Sequence, residues 1–258
     1  MSNSTFSENR PLAGRVALLT GATGALGSHL ALALVEAGAS LVACHHRGRT
    51  EVASRLAALE RRAGLPSQRV LSVQADLRRP AELARAFALA EGLGGCDLLV
   101  NSASRLSRER LEETPREALS ALVELNLAVP IACCQAAVAQ MRGRGRGDIV
   151  NLVDVGGGLI PWQRGAAYCA TRAGLAMLTR CLALELAPVI RVNALAPGLT
   201  ELSPEAQVAD GPALKSVPLG RPATVAEVVA AFLFLITGPA SMTGQVLAVD
   251  GGRSARGL

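Results

Sequence analysis

Three polar side chains in the middle of this chain have the types and the spacing of a proton-transfer site. Tyr168 precedes Arg172 by four residues, so in a helix the two side chains project from one face, one turn apart. Asp154 closes the strand-like run 148–154, upstream of Tyr168. A cation beside a phenol favours the phenolate and lowers the phenol pKa from its ordinary ~10. We therefore expect Arg172 to tune Tyr168 as a proton donor, and Asp154 to orient a substrate or carry a proton.

A glycine-rich turn near the start of the chain has the form of a nucleotide-binding loop. Residues 20–27 read TGATGALG and separate a strand-like run from a helix-like run. Glycines allow a tight turn and a close approach of the backbone to a pyrophosphate, and the helix N-terminus supplies free N–H groups. The sequence predicts that a dinucleotide contacts Gly21, Thr23, Gly24, Ala25, Leu26 and Gly27.

The end of the second strand-like run indicates which dinucleotide is bound. NAD enzymes place an acidic residue there to bind the ribose 2′-hydroxyl, and this chain has none. It has His46 and Arg47 instead, and a guanidinium pairs well with a 2′-phosphate. We therefore expect the cofactor to be NADP(H) rather than NAD(H).

The elements that must position these residues alternate regularly along the chain. Strand-like runs cover residues 15–20, 40–45, 69–74, 97–101, 148–154, 190–195 and 245–249. Helix-like segments cover residues 25–37, 50–63, 81–91, 115–141, 166–187 and 225–236. Strands that alternate with helices of this length form a parallel sheet covered on both faces. The expected fold class is α/β: a single-domain, Rossmann-type, doubly wound parallel sheet of about seven strands, with the nucleotide at its carboxyl edge.

The domain organisation expected from the sequence is simple. The chain has 258 residues, half of them apolar, which is enough for one large domain. Residues 1–11 are expected to be a flexible tail and residues 12–258 to form the domain. The stretch 197–222 is rich in proline, glycine and polar residues and has no clear period, so we expect a lid over the substrate.

Composition and charge argue against several other functions. The six cysteines form no C-x-x-C pair and the three histidines add no ligand spacing, so reduced thiols in a cytoplasmic protein are expected and no metal site. No basic segment followed by an apolar stretch opens the chain, and apolar runs are broken before ~18 residues, so neither secretion nor a membrane span is expected.

The net charge of +5 owes much to residues 142–147, but no aromatic side chain interleaves with these arginines. A solvated turn is expected there and no nucleic-acid site, while the positive charge suits an anionic cofactor.

Further motifs make the chain resemble the short-chain dehydrogenase/reductase family over about residues 12–254. The glycine-rich turn is similar to the family's T-G-x-x-x-G-x-G loop, with Ala25 in place of the middle glycine. Residues 193–198 read NALAPG, similar to the family's N-x-x-x-P-G, and residues 249–252 read VDGG, similar to its V-D-G-G. Residues 101–104 read NSAS where the family commonly has N-N-A-G, so Ser102 replaces the second asparagine.

The resemblance implies roles for individual residues. The implied catalytic residues are Tyr168, Arg172, Asp154 and Asn126, and in relatives the mid-helix asparagine holds a water linked to the active-site lysine. The family usually has that lysine at the position of Arg172, and a serine at the position of Asp154. Arginine is effectively never deprotonated, so charge tuning should survive while proton resupply slows. The further cofactor contacts implied are Asp76, Leu77, Asn101, Ser102, Ala103, Tyr168, Arg172, Pro197 and Gly198.

Within the family the chain most resembles the pteridine reductases. They also have an aspartate at the position of Asp154, and the stretches 45–47, 73–77, 185–188 and 215–219 look similar. Ala25 and Leu106 stand where those enzymes have a ligand-facing arginine and a stacking phenylalanine, so pterin itself is not the expected substrate. The expected substrate pocket comprises Ser104, Leu106, Asp154, Trp162 and Leu199.

Three functions are compatible with these observations. The first is an NADPH-dependent reductase that transfers hydride to a C=O or C=N group of a small-molecule substrate. The second differs in substrate class and is a 3-oxoacyl-thioester reductase that acts on acyl carrier protein. The third is a family member that has lost its redox role and binds nucleotide as a partner subunit or in a non-redox reaction, an idea motivated by Arg172 and Ala25. Relatives form dimers and tetramers through two long helices, so a homo-oligomer is expected.

Overall fold

The computed structural model describes residues 10–46, 50–208 and 211–256, and within them it contains one seven-stranded parallel sheet. The strands are β1 (Val16–Thr20), β2 (Ser40–His45), β3 (Val70–Gln74), β4 (Leu98–Asn101), β5 (Gly147–Leu152), β6 (Ile190–Pro197) and β7 (Val246–Val249). Their order is β3-β2-β1-β4-β5-β6-β7, and every neighbouring pair is parallel. The predicted α/β fold is confirmed, and the strand order reverses between β1 and β4, which is where such sheets bind nucleotides.

Helices cover both faces of this sheet. They are α1 (Ala25–Glu36), α2 (Thr50–Arg62), α3 (Pro80–Gly92), α4 (Arg116–Val123), α5 (Val129–Arg144), α6 (Val155–Gly158), α7 (Ala166–Leu186), α8 (Pro212–Lys215) and α9 (Val225–Thr237). Successive side chains of a strand point to opposite faces, so Leu18 and Leu19 of β1 belong to different hydrophobic clusters. Leu19 lies in the same cluster as Leu34 of α1, and Leu18 in the same cluster as Phe87 of α3. The core therefore lies on both sides of a sheet that is buried on both faces.

A π-helical turn interrupts the helix that the sequence predicts over residues 115–141. Residues Glu124–Ala128 separate α4 from α5, and the N–H of Val129 donates to the carbonyl of Glu124, five residues back. Pro130 has no N–H, so it cannot bond to the carbonyl of Asn126 in the usual helical pattern. The wider turn is how the helix passes this point without a break in its direction.

The continuous helical run Arg116–Arg144 is long and apolar enough to cross a membrane, a property that the sequence pattern did not predict. Length and composition are weak evidence, because the core helix of a globular domain has the same properties. Within this run Val129, Cys133, Ala137 and Met141 are buried in the cluster beside the sheet. This burial is the arrangement of a core helix.

Two predicted strand ends are wrong at the carboxyl edge of the sheet, and one of them is that of the sixth strand, which ends at Pro197 rather than at residue 195. The fifth strand ends at Leu152, whereas the sequence analysis placed its end at Asp154. Asp154 instead caps α6, because its Oδ1 accepts a hydrogen bond of 2.9 Å from the N–H of Gly156. A side-chain acceptor of this kind stabilises a turn, and here the turn follows directly on the end of the fifth strand.

The expected lid, residues 197–222, begins where β6 ends. Thr200 forms an isolated bridge with Ala223, so the two ends of the lid are close together. Between them lie a 3-10 helix at Pro204–Gln207 and the short helix α8. This excursion of the chain is therefore anchored beside the carboxyl edge, and we call its described residues, 197–208 and 211–222, the lid segment.

Candidate active site

A cleft of about 850 Å³ opens at the carboxyl edge of the sheet. The residues predicted for the site that line this cleft are Gly21, Thr23, Gly24, Ala25, Leu26, Gly27, His46, Asp76, Leu77, Ser102, Ala103, Ser104, Asp154, Tyr168, Arg172, Pro197 and Gly198. Lining residues that the sequence analysis did not name are Cys44, His45, Ala75, Arg78, Arg105, Ala121, Leu125, Leu152, Val153, Thr200 and Ser203. The residues converge because the ends of parallel strands meet at one edge.

Several residues predicted for the site do not line the cleft. Leu106 is half exposed on the loop after β4, and Leu199, near the start of the lid segment, is buried without lining the cleft. Asn101 and Asn126 are buried in the framework around the cleft. Trp162 lies behind Tyr168, and the predicted cofactor contact Arg47 falls outside the described residues. The substrate pocket predicted from sequence is thus only partly assembled from the residues expected.

The glycine-rich turn forms a bare backbone cradle at the start of α1. Gly21 has a φ of +68°, and a Cβ on it would lie 2.8 Å from the Cα of Ala103. A Cβ on Gly27 would overlap the carbonyl oxygen of Gly21. Only glycine fits at these two positions, and the first-turn N–H groups of α1 stand at the cleft. This cradle fits the pyrophosphate of a dinucleotide.

Thr20, which the sequence analysis did not single out, joins the cradle to the end of β4. Its Oγ1 accepts hydrogen bonds of 3.0 Å from the N–H groups of both Ser102 and Ala103. A buried hydroxyl that holds two main-chain donors fixes the separation of the two strand ends that form the floor of the cleft.

The end of the cleft beside β3 carries a carboxylate held by an arginine. The Arg78 guanidinium donates from Nε to Oδ1 and from Nη2 to Oδ2 of Asp76, each at 2.8 Å. These charge-assisted bonds hold the pKa of Asp76 down at about 2. His46 lies nearby, with its Nε2 3.9 Å from Oδ2 of Asp76. Arg78 and His46 give this end of the cleft two basic side chains.

The reacting end of the cleft contains Tyr168 and Asp154 in direct contact. The hydroxyl of Tyr168 donates to Oδ2 of Asp154 at 3.1 Å. Burial raises the pKa of the Asp154 carboxyl, and it raises the pKa of Tyr168 to about 12. The sequence analysis expected Arg172 to lower the pKa of Tyr168. Arg172 does act in that direction, but the net pKa of Tyr168 is raised, because the cost of burying a phenolate exceeds the favourable effect of the Arg172 charge.

Arg172 is a buried cation with unused hydrogen-bonding capacity. Its side chain lies one helical turn from Tyr168 as predicted, with Cζ 4.9 Å from the centre of the tyrosine ring. Nη1 donates to the carbonyl of Leu152 at 3.3 Å, whereas Nε has no hydrogen-bond partner among the described residues. Buried donors without partners are costly, and sugar hydroxyls would satisfy them. The residue therefore fits the ribose of a bound dinucleotide.

The two asparagines implied by the family resemblance make framework contacts. The side-chain amide of Asn126 accepts from the N–H of Arg105 and donates to its carbonyl, each at 2.9 Å. It also donates to Oγ1 of Thr171 at 3.3 Å. Asn101 donates to Oδ1 of Asn151 at 2.9 Å. The side-chain amide of Asn126 thereby fixes the loop after β4 against α7.

Trp162 packs against the ring of Tyr168. The rings of Trp162 and Tyr168 are stacked, with centroids 5.7 Å apart and planes inclined by 20°. The guanidinium of Arg108 also lies over the indole, with Cζ 4.9 Å from the ring centre. Sequence reasoning could not find Arg108, because it is one of several arginines in the segment 105–116 and only the fold places it over Trp162.

Comparison with known proteins agrees with this geometry. The family model described as enoyl-(acyl carrier protein) reductase matches residues 21–254 of this chain. D-beta-hydroxybutyrate dehydrogenase of Rhizobium meliloti (strain 1021) is 31% identical, over 94% of this chain and 99% of that protein. The rhamnolipids biosynthesis 3-oxoacyl-(acyl-carrier-protein) reductase of Pseudomonas aeruginosa is 32% identical, over 93% of this chain and 96% of that protein.

A solved structure extends the similarity to three dimensions. The gluconate 5-dehydrogenase from Burkholderia cenocepacia J2315, in complex with NADP and tartrate, superposes with a TM-score of 0.84 and 30% sequence identity. The alignment covers 96% of this chain and 98% of that chain. The similarity therefore includes the whole sheet and the carboxyl edge at which the cleft lies.

Proposed function

The chain belongs to the short-chain dehydrogenase/reductase family, and from this premise we propose that it is an NADP(H)-dependent reductase of a C=O or C=N group. The single observation that carries the proposal is the contact of Tyr168 with Asp154 at the cleft, beside the buried cation Arg172. A protonated phenol, a carboxyl group and a fixed cation are the groups needed to place a proton on a developing anion.

The residues that would hold the cofactor are spread along the cleft. The glycine cradle before α1 would hold the pyrophosphate, and the buried donors of Arg172 would hold the nicotinamide ribose. The basic pair Arg78 and His46 supports NADP(H) over NAD(H), because a guanidinium binds a phosphate strongly. When bound, the nicotinamide supplies the hydride that reduces the substrate.

Tyr168 is the proposed proton donor. With a pKa of about 12 its hydroxyl is fully protonated at neutral pH, so it can give its proton to the substrate anion. The Arg172 cation then stabilises the phenolate that remains. Arg172 itself cannot pass on a proton. Asp154 is the group in contact with the Tyr168 oxygen, so its carboxyl would pass on to the phenolate a proton that it takes up from water.

For the substrate we propose a small carbonyl or imine compound, on the pteridine reductase-like pattern but without pterin itself. The carboxyl of Asp154 at the reacting end supports this pattern. Leu106 is half exposed and does not line the cleft, so no ring at that position is available to stack on a flat heterocycle. A second candidate is a 3-oxoacyl-thioester, which is supported by the similarity to the reductase of Pseudomonas aeruginosa.

The proposal is tested by binding and turnover. NADPH and NADH are titrated separately by their fluorescence, and oxidation of NADPH is then followed with a panel of ketones, 3-oxoacyl thioesters, cyclic imines and dihydropterins. We expect tighter binding of NADPH than of NADH, and turnover with at least one carbonyl or imine class. Tight NADPH binding without turnover across the panel would favour a non-redox role instead.

We also propose that the enzyme is a homo-oligomer. Leu119 and Val123 of α4, and Met177 and Leu184 of α7, are exposed apolar side chains on two helices in contact, and Leu184 is 85% exposed. Such a surface is covered in the functional state, here by a second copy of the chain. Light scattering should show a dimer or tetramer that Leu184→Glu weakens, while Leu111→Glu, at an exposed position on another segment, leaves it intact.

A further inference from the structure

Four side chains from three segments are joined by successive ring contacts, and we call this series, from the partly exposed Arg108 through Trp162 and Tyr168 to Arg172, the column. Arg108 lies over the ring of Trp162, Trp162 stacks on Tyr168, and Arg172 lies on the ring of Tyr168. The two cation-to-ring distances are each 4.9 Å, and the ring centroids are 5.7 Å apart. Cations favour the faces of aromatic rings, so each member of the column holds the next.

Arg108, the outermost member of the column, also holds the lid segment. Its Nη1 lies 2.9 Å from Oε1 of Glu205, in the 3-10 helix Pro204–Gln207. The main chain beside Arg108 is fixed independently, because Gly165 donates its N–H to the carbonyl of Glu109 at 3.1 Å. A single guanidinium therefore connects the lid segment to the ring that supports Tyr168.

The indole of Trp162 depends on these neighbours for its position. It lies against Gly156, and a Cβ at that position would overlap the ring. Its Nε1 is buried without a hydrogen-bond partner among the described residues, so no polar contact anchors the ring there. The packing on Gly156 and the ring contacts with Arg108 and Tyr168 are the interactions that orient it.

We propose that Arg108 is a positioning residue, which with Glu205 latches the lid segment and, through Trp162, holds Tyr168 in its orientation for proton transfer. The effect on turnover rests on the proposed role of Tyr168, but the latch itself does not. Displacement of Glu205 would release Arg108 from the indole and loosen the support of Tyr168. The Arg108–Glu205 pair is partly exposed, so salt should weaken it.

The chain offers a specific probe and a matched control for this latch. It contains one tryptophan, so intrinsic tryptophan fluorescence reports Trp162 alone. Glu205→Gln removes the charge of the latch and keeps the size of the side chain. Glu112→Gln is the control, because Glu112 pairs with Arg110 at 3.3 Å in the same region without an aromatic contact assigned to that pair.

In Glu205→Gln we expect Trp162 to become more accessible to acrylamide and kcat to fall by about two- to five-fold, the effect of losing a partly exposed ion pair. The dissociation constant for NADPH should stay close to that of the wild type, and Glu112→Gln should match the wild type in all three measurements. High salt should raise the acrylamide accessibility of Trp162 in the wild type and lower its kcat, toward the values of Glu205→Gln. Quenching of Glu205→Gln equal to that of both the wild type and the control would overturn the latch.

Two variants of Arg108 distinguish positioning from mere folding. Arg108→Lys keeps a cation for both Glu205 and the indole, so it should retain most of the quenching protection and of kcat, whereas Arg108→Met should lose both. Equal quenching and equal kcat in Arg108→Lys and Arg108→Met would contradict the proposal. If no substrate gives turnover, the proposed function fails, and the quenching measurements still decide the latch separately.

Discussion

The hydroxyl of Tyr168 lies 3.1 Å from Oδ2 of Asp154 and donates a hydrogen bond to it, whereas relatives usually have a serine in place of the aspartate. Unlike a serine hydroxyl, a carboxylate at this position opposes formation of the phenolate. The cation of Arg172, on the ring of Tyr168, acts in the opposite direction. The readiness of Tyr168 to release its proton therefore depends on a carboxyl and a guanidinium together.

Asp154→Asn should lower the pKa of Tyr168 from about 12, because the amide can still accept the tyrosine hydrogen bond but carries no negative charge. A raised pKa means that the folded protein favours the protonated phenol, so removing the opposing charge shifts ionisation to lower pH. The chain contains one tyrosine, so the ultraviolet absorbance of its phenolate reports Tyr168 alone. A midpoint that is unchanged in the folded variant would show that Asp154 does not influence the phenol.

Replacement of Arg172 tests whether a cation is needed at that position. Arg172→Lys keeps the charge, and we expect kcat within about tenfold of the wild type, since a lysine can also relay protons. Arg172→Met removes the charge that stabilises the phenolate, and kcat should fall by about 10²-fold or more. Steady-state kinetics at saturating NADPH separates the two. Similar turnover in Met and Lys variants would remove Arg172 from the mechanism.

Arg78→Gln should reduce the preference for NADPH over NADH. Arg78 lines the cleft, and loss of a charge-assisted contact to a phosphate should weaken NADPH binding by about tenfold while NADH binding changes little. Arg85→Gln is the matched control, because Arg85 bonds to the carbonyl of Gln74 but does not line the cleft. An equal loss of affinity for both cofactors in Arg78→Gln would indicate a general structural effect.

Substitutions in the glycine cradle should change the free energy of unfolding, which can be measured without a substrate. Gly27→Ala places a methyl group on the carbonyl of Gly21 and should cost about 1–3 kcal/mol of unfolding free energy, the range for overpacking. Ala25→Gly restores the glycine that relatives have and creates no clash, and it should unfold within about 1 kcal/mol of the wild type because its position opens a helix. Urea denaturation measures the unfolding free energy of both variants. Equal stability of Gly27→Ala and the wild type would mean that the turn relaxes freely.

The sequence was sufficient to predict the fold because the relevant signals are local. Alternation of apolar strands with helices and a glycine-rich turn after β1 depend on neighbouring residues, and the predicted parallel sheet is confirmed. Local signals also placed Tyr168 and Arg172 one turn apart on α7. Tyr168 and Asp154 both line the cleft because the chain returns to one edge of the sheet after each strand.

The features that the sequence did not reveal depend on the environment or on distant partners. The raised pKa of Tyr168 arises from burial, which no pattern of charges along the chain could indicate. Arg78 was missed although its partner Asp76 is only two residues away, because only the folded chain shows that Arg78 lines the cleft. The contact of Arg108 with Trp162 joins segments that are more than fifty residues apart, and it required the packed fold.

The most direct test of the central claim, that Tyr168 donates the proton in a reduction that uses NADPH, is the comparison of Tyr168→Phe with the wild type. The phenylalanine keeps the ring that stacks on Trp162 and removes only the hydroxyl. We predict that the variant binds NADPH with nearly unchanged affinity and loses about 10²- to 10⁴-fold in kcat on any substrate that the wild type reduces. Turnover by Tyr168→Phe equal to that of the wild type would contradict the account.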